Sequence, residues 1–128
     1  MQKIDANIVL RYILNDHEEL SPQAKEIIDK HIVEVPVEVL CEVIYVLTGY
    51  YKIDRQNVST KLKRFFEETQ CILPHQEVIL QALEYFGKNT LDFVDCILAG
   101  YAEVEKDTIY TFDEKLQKLI DKIKKAKP

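Results

Sequence analysis

Apolar residues recur along this chain in two rhythms, and the changes between them predict its elements. Residues 1–4 can form only a short strand, after which Ile8, Tyr12 and Leu14 take up helical spacing. A polar stretch at 15–19 leads to Ser21-Pro22, a helix start with proline at its first position. Ala24, Ile27 and Ile28 then mark an amphipathic helix over 22–31. Val33-Glu34-Val35 reads as a second strand. Pro36 opens a broadly apolar helix through Val39, Leu40, Val43, Ile44 and Leu47, with Gly49 as its stop. Residues 54–68 predict another helix, with Val58, Leu62, Phe65 and Phe66 inward. Cys71-Ile72-Leu73 predicts a third strand, 75–87 a helix, 91–102 a helix apolar on nearly every side, and Thr108-Ile109-Tyr110-Thr111 a fourth strand. A last helix follows from Glu114, where Leu116 to Ile123 keep a helical pattern.

Strands alternating with helices predict an α/β fold: a three-layer α/β/α sandwich with a central parallel sheet of four or five short strands and right-handed crossovers. The length of 128 residues suits one domain, 1–128, with a lysine-rich C-terminal end at about 115–128. No apolar run approaches a membrane span, and the run from Ile8 is broken by Arg11 and lacks a cleavage signal, so a cytoplasmic location is expected. Cys41, Cys71 and Cys96 have no metal-type spacing and are odd in number, which points to buried thiols rather than disulfides or zinc.

Charge alters this picture. The net charge of −5 is unfavourable for a nucleic-acid binder, yet residues 115–128 carry +5 and the first 114 carry −10. A solvated terminal helix explains the basic end, and an acidic body is also compatible with carboxylates that hold cations. Lys52, Arg55, Lys61 and Arg64 are the internal candidates for phosphate contacts.

Four acids stand where an α/β fold gathers ligands. Asp5 and Asp113 follow strands, Glu42 lies on the helix after Pro36, deeper in its run than Glu38, and Asp95 enters the apolar helix 91–102. Three of them have a bland reading: Asp5 as a helix cap, Glu42 as a solvated residue, and Asp95 as an acid at the positive end of a helix dipole, with Asp92 before it as the cap. Four carboxylates brought together would repel one another unless neutralised, and Mg²⁺ or Mn²⁺ takes oxygen ligands of this kind. Such a site suits phosphodiester hydrolysis. No Gly-x-Ser-x-Gly elbow, P-loop or dinucleotide fingerprint competes with it.

Asp5-Ala6-Asn7, Glu42-Val43-Ile44-Tyr45-Val46-Leu47, Leu91-Asp92-Phe93-Val94-Asp95 and Thr111-Phe112-Asp113, in that order, resemble the four signatures of the PIN domain over nearly the whole chain, at the size of the VapC-type toxin ribonucleases. The resemblance implies that Asp5, Glu42, Asp95 and Asp113 form an acidic pocket for Mg²⁺ or Mn²⁺, with Asn7 and Thr111 orienting ligands or an attacking water. It further implies a metal-dependent endoribonuclease acting on RNA, a homodimer, and an antitoxin partner for the toxin members. Tyr45, Tyr50 and Tyr51 could contribute to a dimer face. The competing readings are a housekeeping RNA-processing nuclease, a catalytically inactive PIN-fold binding module, and an aspartyl phosphotransfer protein, the last opposed by the missing lysine after a late strand.

Overall fold

The computed structural model describes residues 1–126, and the chain divides into two compact units, one ending at Pro74 and the other beginning at His75. The last two residues of the lysine-rich end lie outside the described residues. In the first unit, β1 (Gln2–Lys3) pairs in parallel with β2 (Val33–Glu34), Gln2 opposite Val33 and Lys3 opposite Glu34. A Lys3–Glu34 ion pair of 3.1 Å crosses the exposed side of this ladder. Ile72 adds a single parallel bridge beyond β2: its N–H donates to the Val33 carbonyl at 2.8 Å, and its own carbonyl accepts from the Val35 N–H at 2.9 Å. Ile4, Val33 and Val35 are buried, as the strand pattern requires.

The expected four- or five-stranded sheet is not what forms. Among the described residues there are seven helices and one two-stranded sheet, so the three-layer sandwich is overturned. Local chemistry explains how short the strands are. Asp5 caps a helix two residues after β1, and Pro36 and Pro74 follow the second and third extended segments almost at once, removing the N–H that a ladder would use. The segment 108–111 enters no ladder among the described residues. Its Thr-Ile-Tyr-Thr composition favours a strand only where a neighbour offers a pleated surface to pack on, and Tyr110 is 92% exposed.

The helices match the apolar pattern closely. α1 (Ala6–Leu14) buries Ala6, Val9 and Leu10, and ends at Asn15, whose left-handed φ of 50° is tolerated by a short polar side chain. α2 (Leu20–Lys30) begins earlier than Ser21-Pro22 suggests. The His17 Nδ1 accepts from the N–H groups of Glu19 and Leu20, taking the capping role, while the buried Ser21 hydroxyl donates to the Arg11 carbonyl at 2.8 Å. α3 (Val37–Gly49) buries Leu40, Val43, Ile44 and Leu47, each contributing roughly 1.5–3 kcal/mol when fully removed from water. Gly49 is not a left-handed stop: among the described residues no glycine has positive φ, and Lys52 takes that conformation instead. α4 (Arg55–Glu68) starts on an Asp54 cap and buries Val58, Leu62 and Phe65.

In the second unit, α5 (Gln76–Lys88) packs on α6 (Phe93–Val104), and α6 on α7 (Glu114–Lys125). The α5–α6 contact is close because of Gly100: a Cβ there would stand 2.6 Å from the Val78 carbonyl oxygen. Phe86 and Phe93 meet edge to face at 5.9 Å, and the Tyr85 hydroxyl donates to Glu103 at 3.1 Å. α7 turns Leu116, Leu119, Ile120 and Ile123 inward and its lysines outward. Among the described residues no cysteine forms a disulfide. Cys71 and Cys96 are buried as expected and Cys41 is half-buried, and burial pushes the thiols of Cys41 and Cys71 up, away from nucleophilic use. Among the described residues no helix is long and apolar enough to cross a membrane.

Candidate active site

The second unit gathers four acids at the starts of two helices, Asp92 and Asp95 at α6 and Asp113 and Glu114 at α7. Asp92 is the N-cap of α6 and accepts from the Asp95 N–H at 3.0 Å, so the expected capping role is present. The i, i+3 spacing that makes this cap also puts the Asp95 side chain on the same side of the helix. Asp113 is the N-cap of α7 and accepts from the Leu116 N–H at 2.8 Å. Two residues earlier, the Thr111 hydroxyl accepts from the Asp113 N–H at 3.0 Å, which fixes the entry of the chain into α7.

These acids line one open cleft of about 700 Å³, bounded also by Thr90, Phe112 and Lys115. Asp95 differs from its neighbours because it spends neither oxygen on a cap and lies half-buried. Burial, then the charges of Asp92 and Asp113 and a hydrogen bond with Asp92, hold its carboxyl above the usual carboxylate value. A half-buried acid facing other carboxylates is where a cation or a proton gains most. The donor set consists of carboxylate oxygens without a cysteine or histidine, which fits a hard divalent cation rather than zinc.

The other acids singled out in the sequence belong to the first unit. Asp5 is the N-cap of α1, accepting from the Ile8 N–H at 3.0 Å, and is exposed. Asn7 is exposed in the first turn of α1, and its side chain makes no hydrogen bond among the described residues, so it does not orient Asp5. Glu42 and Glu38 are both exposed on α3. Helix α1 packs against α3 within this unit. Asp95 and Asp113 are therefore brought to one cleft. Among the described residues no group of three or more His, Cys, Asp and Glu side chains is arranged to hold a metal ion.

The sequence missed the cleft roles of Thr90, Glu114 and Lys115, and took Asp92 for a cap alone. Asp92 is both a cap and a source of the field on Asp95. Lys115, read as part of a solvated tail, lines the cleft and donates to the Thr90 hydroxyl at 3.3 Å. Thr90 had only a loop signal. The i, i+3 spacing could have exposed the role of Asp92; nothing local links Thr90 to Lys115.

Neither the curated proteins nor the solved structures gave a match to this chain. A family model described as PIN domain matches residues 4–122. With nearly its whole length covered, the chain belongs to the PIN domain family, whose members are generally nucleases and typically use divalent metals.

Proposed function

We propose that this protein is a Mg²⁺- or Mn²⁺-dependent endoribonuclease of the VapC type, hydrolysing RNA phosphodiester bonds as the toxin of a toxin–antitoxin pair. Asp5, Glu42, Asp95 and Asp113 would hold the cation, with Asn7 and Thr111 beside them. The observation that carries the reading is the raised carboxyl of Asp95 in a cleft shared with Asp92 and Asp113. A family of nucleases supplies the reaction class.

The divalent ion, when bound, supplies Lewis acidity toward the phosphodiester and its attacking water. The chain's own residues do the rest. Asp95 would hold the ion, and the repulsion from Asp92 and Asp113 that raises its carboxyl is what a bound cation would relieve. Asp113 is held by its own cap bond and by Thr111, so its free oxygen has a fixed direction. Lys115 presents a cation at the same opening, which favours an approaching phosphate and the charge that develops on it. Homodimerisation and restraint by an antitoxin belong to the same proposal.

Cleavage of RNA with Mn²⁺ present, measured beside Asp95→Asn, tests the reading. Loss of cleavage in a variant with unchanged circular dichroism supports it; equal cleavage moves the activity to another site or a contaminant. Growth arrest on expression, relieved by Asp95→Asn and by co-expression of a small neighbouring-gene product, would separate a toxin from a housekeeping nuclease. RNA binding without any turnover would leave the inactive binding module as the better description.

A further inference from the structure

A second recess lies wholly within the first unit and is lined by none of the acids proposed to hold the cation. It has a volume of about 370 Å³, an apolar wall of Tyr12, Ile13 and Phe65, and a rim bearing Lys25, Lys61 and Arg64. Tyr12 and Phe65 meet edge to face at 5.4 Å and 78°, so the wall has a defined shape. Its size is at the small end for ligand sites and suits one nucleotide rather than a duplex.

The state of its cations is informative. Elsewhere on this surface lysines find acids one turn away: Lys30 with Glu26 and Lys88 with Glu84, each at 2.8 Å. Lys25 on the rim is likewise taken by Asp29 at 2.8 Å. Lys61 and Arg64 are exposed and make no hydrogen bond or ion pair among the described residues. Glu68 lines the same recess four residues after Arg64, yet no ion pair joins them. In a chain of net charge −5, two cations three residues apart on one helix face, unneutralised beside an aromatic wall, offer what a nucleotide needs.

We infer that the recess between α1, α2 and α4 binds one nucleotide of single-stranded RNA, with Lys61 and Arg64 on the phosphate and the Tyr12 wall against the base. The choice of RNA rests on the ribonuclease proposal; the recess itself does not. Phosphate contacts give affinity without sequence preference, and the aromatic wall accepts any base. The recess thus acts as a strand-anchoring subsite.

Binding of a fluorescein-labelled single-stranded oligouridylate to the full chain, followed by anisotropy in EDTA so that no metal-dependent cleavage occurs, tests this. Lys61→Ala with Arg64→Ala should weaken Kd about tenfold and lower the salt slope by about 0.7 for each phosphate that is no longer neutralised. Tyr12→Leu should weaken Kd several-fold, about what the removal of one stacking surface costs, with the slope unchanged. Lys118→Ala with Lys122→Ala removes equal charge from α7 and should have a much smaller effect. Wild-type affinity in the Lys61/Arg64 variant, an equal loss in the α7 control, or no binding by the wild type would overturn the inference. RNA bound through the recess but never cut with Mn²⁺ would leave the subsite standing and remove the nuclease proposal; cutting with an unaffected Lys61/Arg64 variant would do the reverse.

Discussion

Helices α1 and α6 both begin on an aspartate cap at the same hydrogen-bond length, 3.0 Å, and yet their entrances differ in kind. The first turn of α1 holds no further acid, and the Asp5 carboxylate meets solvent. The first turn of α6 holds Asp95, half-buried and opposed by Asp92 and by the cap of α7. A capping aspartate is satisfied by the backbone; an acid one turn inside a buried helix is not. The difference separates aspartates that build helices from the one whose charge is left to be neutralised.

The largest expected effect falls on Asp95. Asp95→Asn should reduce RNA cleavage by about 100-fold or more, since loss even of a metal's outer-shell partner costs about 10–100-fold. It should leave the melting temperature equal or higher, since a repelled charge is removed. A lower melting temperature with retained cleavage would break the contrast between the two helix entrances.

Next comes packing. Gly100→Ala would press a methyl onto the Val78 carbonyl and should cost about 1–3 kcal/mol by denaturant titration. A neutral result would mean that α5 and α6 separate readily. Smaller again is the loss of a cap: Asp5→Ala and Asp113→Ala should each cost about 1 kcal/mol, whereas the Asn variants, which still cap, should cost little. If Asp5→Asn and Asp113→Asn abolish the rise in melting temperature caused by Mn²⁺ while leaving stability without metal intact, both acids hold the ion as well as the helix. An undiminished rise would place the ion elsewhere.

The Tyr85–Glu103 bond gives a pH test. Burial, and then Glu103, raise the Tyr85 phenol well above its ordinary value of 10.0. The unfolded chain therefore loses this proton first, and stability should fall as pH rises past about 10. Tyr85→Phe should flatten that fall and cost about 1 kcal/mol at neutral pH. An alkaline slope identical to the wild type would assign it to other groups. The smallest effect has the opposite sign: Gly49→Ala, in the last turn of α3 with open space around it, should stabilise by roughly 0.5–1 kcal/mol.

The helices were legible in the sequence because helical periodicity is local: Leu40, Val43, Ile44 and Leu47 declare a buried face whatever lies opposite. Caps were legible for the same reason, as Asp5 and Asp92 show. The sheet was not, because a strand needs a partner. Thr108 to Thr111 have strand composition and no ladder, and Ile72 has one bridge where a strand was expected.

The order of residues by itself determined seven helical segments, the family signatures and the positions of the acids. Tertiary structure alone decided that Asp95 would be desolvated beside Asp113, that Lys115 would turn to Thr90, and that Tyr12 would meet Phe65 beneath unpaired Lys61 and Arg64. Periodicity fixes which face of a helix is apolar. Electrostatic environment depends on which charges from distant parts of the chain are brought within a few ångströms, and on how much water remains between them.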